Sequence, residues 1–132
     1  MLLVDTNVLV DVLQDDPQWA SWSIGQLRAQ AVIHQLTINP IIYAEISLSF
    51  STLEGLDNAV STLALELSEI PRPALFLAAK AFVQYRKRGG PKLQVLPDFF
   101  IGAHAAVEGW PLLTRDARRF TTYFPTLEVV AP

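Results

Sequence analysis

Apolar positions along the chain fall into short blocks separated by Asp, Asn, Pro and Gly. Leu2–Val4 is an unbroken apolar run followed by turn-forming residues, which predicts a short buried strand. Asp5-Thr6-Asn7 then supplies capping side chains, and Val8–Leu13 continues as a helix. Asp15-Asp16-Pro17 breaks it. Pro17 suits the first turn of a new helix, along which Trp19, Trp22, Gln26 and Leu27 recur at helical spacing. Gln35–Ile38 predicts a second strand, and Asn39-Pro40 opens a helix reaching about Phe50. Leu53–Leu67 predicts a further helix, and Ala74–Arg88 a strongly periodic one that Gly89-Gly90-Pro91 ends as a loop. Pro97-Asp98 starts a helix that stops near Gly109. Pro111–Thr114 predicts a strand, Arg115–Phe120 a short helix and Leu127–Val130 a last strand.

Short strands alternating with helices imply βαβ units and a short, mostly parallel central sheet flanked by helices, an α/β fold. Ligands of such sheets bind outside the carboxyl ends of the strands. Asp5 and Asp116 lie just after predicted strands and so fall at that edge. No repeat, linker or low-complexity segment divides the chain, so residues 1–132 are expected to form one domain.

Composition narrows the chemistry. The hydrophobic fraction is 51%, which argues against disorder and for a partner covering part of the surface. No apolar run approaches the roughly 18–20 residues of a membrane span, and no basic segment precedes the first apolar run as in a signal peptide. A cytoplasmic protein is expected, and the absence of cysteine excludes disulfides and thiolate metal sites. The net charge of −3 excludes a globally basic nucleic-acid footprint. Positive charge is nevertheless clustered, in Arg86-Lys87-Arg88 with Lys92 and in Arg115, Arg118 and Arg119.

The acids are the informative residues. Asp5, Asp98 and Asp116 each stand at the edge of an apolar stretch, where a helix-capping role is the plain alternative. Glu45 is harder to dismiss. It lies inside "PIIYAEISLSF" with Ile41, Ile42, Leu48 and Ser49 at helical spacing, and no Lys or Arg occurs between Arg28 and Arg72 to pair with it locally. If Asp5, Glu45, Asp98 and Asp116 converge, their mutual repulsion calls for a cation. Oxygen donors without cysteine favour Mg²⁺ or Mn²⁺ over zinc. His34 and His104 are expected to be structural or surface residues. Such a site supports phosphodiester hydrolysis, in which metal ions bind the scissile phosphate, acidify a bound water and stabilise the leaving oxygen. Arg86, Arg88 and Lys92, beside a Gly-Gly loop, suit the flanking phosphates of an RNA. Their plain alternative is a solvated helix end.

"LLVDTNVLVDVL", "PIIYAEI", "LPDFFIGAHA" and "LLTRDARRF" together resemble the PIN domain in order and spacing, most closely its VapC-type ribonuclease toxins. The resemblance spans nearly the whole chain. It implies a three-layer α/β/α fold and a metal-dependent endoribonuclease acting as the toxin of a toxin–antitoxin pair. Asp5, Glu45, Asp98 and Asp116 match the family's acidic positions. Asp5 and Asp98 would be direct metal ligands, and Glu45 and Asp116 would complete the site directly or through waters. Thr6, Asn7 and Thr114 match polar positions that orient those carboxylates, and Arg115 follows the family pattern near the last acid. The resemblance also implies a homodimer and a small antitoxin, for which the Trp19/Trp22 stripe and the Leu53–Leu67 helix are the apolar surfaces of interest, with core packing as their plain alternative. Two other readings bear on the same residues. One is a PIN scaffold that binds RNA or protein without cutting. The other is a haloacid-dehalogenase-like phosphatase with Asp5 as nucleophile, which Asn7 disfavours because that family needs an acid there.

Overall fold

The computed structural model describes residues 1–90 and 96–132. Five strands, β1 (Leu2–Val4), β2 (Leu36–Ile38), β3 (Glu66–Leu67), β4 (Leu112–Leu113) and β5 (Val129–Val130), form one sheet in the order β3-β2-β1-β4-β5. Every pairing is parallel. Burial on both faces explains why β1 and β4 read as continuous apolar runs rather than alternating ones.

Helices flank the sheet in a three-layer α/β/α arrangement: α1 (Thr6–Leu13), α2 (Ala20–Ile33), α3 (Pro40–Ile46), α4 (Leu53–Thr62), α5 (Arg72–Lys87), α6 (Leu96–Glu108) and α7 (Arg118–Thr121). A single 3₁₀ turn, Ser47–Ser49, follows α3. The α1 helix packs on α2 and α3, and α6 on α3, α5 and α7. The core joins Leu2, Leu3 and Val4 of β1 to Ile38, Ile42, Ile101, Leu112, Leu113 and Phe120. Gly102 has a steric reason: a Cβ there would lie 2.5 Å from the Phe124 ring. Among the described residues, no helix is long and apolar enough to cross a membrane.

Four expectations need correction. The helix expected over Leu53–Leu67 ends at Thr62, and Glu66–Leu67 instead pairs with Thr37–Ile38 as an edge strand. The chain reverses through Ala64, held at φ 53, so the turn is set by tertiary pairing and carries no glycine to announce it. The helix expected to run to about Phe50 leaves α-geometry at Ser47. Pro17 lies in a turn ahead of α2. There the Asp16 carboxylate accepts the backbone N–H groups of Gln18 and Trp19 at 3.0 and 2.8 Å, and helical geometry begins at Ala20. The short helix expected over Arg115–Phe120 begins at Arg118. Lys92 lies outside the described residues.

Register places the acids. The Asp5 N–H donates to the Leu113 carbonyl at 2.9 Å, which fixes the end of β1 beside the end of β4. Residues after two neighbouring parallel strands thereby meet at one edge, and Asp5 and Thr114 do.

Candidate active site

Asp5 caps α1 and is 4% exposed. One carboxylate oxygen accepts the Thr6 N–H at 2.7 Å and the other accepts the Thr114 hydroxyl at 2.8 Å. The Thr114 oxygen in turn accepts from the Asp116 N–H at 3.1 Å and the Asn7 side-chain amide at 3.4 Å. Asn7 closes the lattice by accepting the Arg115 N–H at 3.2 Å. Burial pushes the Asp5 carboxyl from 3.8 up to about 7; Asp98 and Glu45 add like-charge repulsion, and the hydrogen bonds from Thr114 and Thr6 pull it back.

Glu45 reaches the same cleft from the last turn of α3. It is half-buried, and its partner is the Thr6 hydroxyl at 2.5 Å rather than a distant arginine. The N-cap of α3 is Asn39, whose side-chain oxygen accepts the Ile42 N–H at 3.0 Å and whose amide meets His104 Nδ1 at 3.1 Å. His104, fully buried on α6, thus ties the helix carrying Asp98 to the helix carrying Glu45. Burial lowers its pKa and keeps the ring neutral, which fits the expected structural role. His34 is half-buried at the end of α2, remote in the sequence from every acid.

Asp98 occupies the first turn of α6, and burial raises its pKa as it raises that of Glu45. The Arg119 guanidinium spans the remaining pair, 2.8 Å from Asp98 Oδ2 and 3.0 Å from Asp116 Oδ2. Asp5, Thr6, Asn7, Val10, Glu45, Asp98, Arg115 and Arg119 line a cleft of about 260 Å³. Asp116 stands outside that lining, linked to it through Arg119.

The donor set suits a hard cation: Asp5, Glu45 and Asp98 offer only oxygen, and their crowding raises the cost of ionising all three. Among the described residues no three His, Asp or Glu side chains stand close enough together to hold a metal ion as they are placed here. Arg119 supplies the positive charge beside Asp98 and Asp116 instead.

A sequence profile of the PIN domain matches residues 2–123. The chain belongs to the PIN domain family. A search of curated protein sequences gave no match. Solved structures similar in fold to this PIN domain include a chain of VapBC2 from Rickettsia felis bound to a promoter DNA fragment, with a TM-score of 0.74, 18% identity and coverage of 98% of this chain and 97% of that one. A chain of VapBC from Salmonella typhimurium bound to DNA gives 0.71 at 19% identity, over 99% and 98%. A toxin–antitoxin complex from Klebsiella pneumoniae gives 0.69 at 22% identity, over 100% and 98%.

The basic residues of this PIN domain divide. Arg115 lines the cleft. Its Nε lies 2.8 Å from Asp11 Oδ2 in an ion-pair contact not aligned as a hydrogen bond, and its guanidinium stands 5.3 Å from the Trp19 ring centroid. Trp19 is thus engaged within the chain. Arg86 donates to the Gly90 carbonyl at 3.0 Å, and Arg88 lies 5.7 Å from the Tyr123 ring; neither lines the acidic cleft. Two contributors escaped the sequence reading. Asp11, 2% exposed on α1, shares with Glu45 the lack of a nearby Lys or Arg, none occurring before Arg28, but most of its neighbours at helical spacing, Asn7, Gln14 and Asp15, are polar and hide its burial. Arg119 carries no comparable signal, because its pairing with Asp98 joins α7 to α6.

The Thr114 hydroxyl touches Asp5, Asn7 and the Asp116 backbone at once. Thr114→Val keeps the shape and removes the donor to Asp5. Mn²⁺ affinity is expected to fall about 10- to 100-fold, with Thr114→Ser restoring it, as isothermal titration calorimetry will read.

Proposed function

We propose that this PIN domain is a divalent-metal-dependent endoribonuclease and the toxin of a VapC-type toxin–antitoxin pair. The observation that carries this reading is the convergence of Asp5, Glu45 and Asp98 on one cleft, with Asp5 held at a pKa of about 7. A buried carboxylate so displaced, crowded by two more, makes a cation favourable there. Asp5 and Asp98 would hold it directly, and Glu45 and Asp116 directly or through water. Mg²⁺ or Mn²⁺ held there would supply Lewis acidity toward a phosphodiester and would acidify a water. Thr6, Asn7 and Thr114 orient the carboxylates by the hydrogen bonds described above. Arg115, fixed by Asp11 and Trp19, faces a phosphate of the substrate, and Arg86, Arg88 and Lys92 extend the positive charge for flanking phosphates.

Partner assignments follow by extension from the fold relatives, one of which comes from a toxin–antitoxin complex. The chain would act in the cytoplasm as a homodimer neutralised by a small antitoxin.

The test is cleavage of cellular RNA by purified protein. Mg²⁺ or Mn²⁺ is expected to support cutting, chelation to abolish it, and the products to carry 5′-phosphate and 3′-hydroxyl ends. Sequencing of RNA 5′ ends after brief expression would locate the sites. RNA that stays intact with either metal in excess would leave a binding scaffold as the better reading.

A further inference from the structure

Beside the acidic cleft lies a second hollow of about 210 Å³, lined by Tyr85, Asp98, Phe99, Arg118, Arg119 and Tyr123. Asp98 and Arg119 line both, so the two hollows adjoin across these side chains. Its walls are aromatic. Phe99 is 5% exposed, and the Tyr85 and Tyr123 rings are half-buried. The three ring centroids stand 5.3 to 5.9 Å apart, tilted or edge-on, which locks each ring against its neighbours. Arg118, exposed, and Arg88, over Tyr123, bring positive charge to the rim, while Arg119 is held between the carboxylates of Asp98 and Asp116.

We propose that this hollow is a subsite for one unstacked nucleobase of a single-stranded RNA whose neighbouring phosphate lies in the acidic cleft. The inference rests on the nuclease reading above. The volume is below the roughly 300 Å³ at which pockets for drug-sized ligands begin, which suits a group the size of a single base. Every base presents a π-face, so fixed aromatic walls bind it with little regard to sequence. Arginines at the rim match the phosphates on either side of a flipped base, whereas an apolar protein side chain has no use for them.

Binding of a short unstructured oligoribonucleotide to the Asp5→Asn protein tests this. Adding Tyr85→Leu or Tyr123→Leu is expected to weaken binding roughly 5- to 100-fold. Replacing the bases of the oligomer one at a time by abasic sites is expected to reveal one position where affinity drops, and the tyrosine variants should lose that dependence. Arg118→Glu, at an exposed position, should weaken binding with the thermal transition unchanged, and it carries the test if a tyrosine variant does not fold. Folded tyrosine variants that bind as tightly as their parent would overturn the subsite. So would an abasic series with no sensitive position, or variants that weaken only an antitoxin's binding. If the wild type cuts RNA while the abasic series on Asp5→Asn is flat, the subsite alone fails. If the wild type neither binds nor cuts RNA, the nuclease reading fails with it.

Discussion

Asp5→Asn is expected to lower RNA cleavage by more than a hundredfold, on the order of what supporting-shell losses alone can reach, while the fold survives and becomes more heat-resistant at neutral pH without metal. The side-chain volume hardly changes. Asp5 accepts Thr6 and Thr114 on separate oxygens, so the asparagine oxygen keeps one of the two bonds and its amide nitrogen faces the other partner, while the charge that would bind a cation is gone. The stability effect follows from the displaced pKa. The native carboxyl titrates at about 7 and the unfolded one near 3.8, so native protein holds a proton that the unfolded chain has released. The stabilisation from that proton is complete below about pH 4 and is lost as pH rises through about 7. At about 1.4 kcal/mol per pH unit, the loss reaches roughly 4 kcal/mol. Metal-free wild type should therefore melt at falling temperature from pH 4 to 7, with Asp5→Asn showing a shallower decline. Mn²⁺ should raise the wild-type melting temperature most above pH 7 and leave Asp5→Asn nearly unmoved. Thermal denaturation across pH, with and without Mn²⁺, reads all of this. Undiminished cleavage by Asp5→Asn would falsify the proposed chemistry.

The second large effect lies outside the acid group. Asp11→Ala is expected to cost about 2–3 kcal/mol, a fall in melting temperature of roughly 10 °C. Asp11 is buried beside Arg115 Nε and also accepts the Ser23 hydroxyl at 2.9 Å. Truncation leaves the guanidinium without its counter-charge and the hydroxyl without its acceptor. The Arg115 side chain is 31% exposed, so water recovers part of the loss and the cost stays below that of a fully buried pair. Asp11→Leu combined with Arg115→Leu should cost less than the two single changes summed, because the pair is removed together. Cleavage should also weaken in Asp11→Ala, since Arg115 would no longer be held at the cleft wall. A melting temperature within a degree or so of wild type would mean that the ion pair contributes little.

Local signals made much of this site legible. Leu2–Val4 followed by Asp-Thr-Asn specifies a strand, then a capped helix, and that order puts Asp5 at a sheet edge. Asn39-Pro40 sets the start of α3 and with it the position of Glu45 two turns on. The same reading gave too long a helix at Leu53–Leu67. Its stop depends on Ala64 adopting a left-handed conformation, which side-chain chemistry does not favour and only pairing with β2 rewards. The contact of Trp19 with Arg115 was not legible, because it joins residues far apart along the chain.

By itself, the sequence determined the alternation of short apolar strands with helices, the parallel sheet and the acids that belong at its edge. Those features follow from periodicity, capping and chain connectivity, which act over a few residues. The tertiary structure alone decided the partners. Arg119 bridges Asp98 and Asp116, Asp11 holds Arg115, His104 braces Asn39, and Tyr85, Phe99 and Tyr123 enclose a hollow next to the acids. Most of these contacts join different elements of the fold, and their strength depends on burial and distance, quantities that exist only once the chain has folded.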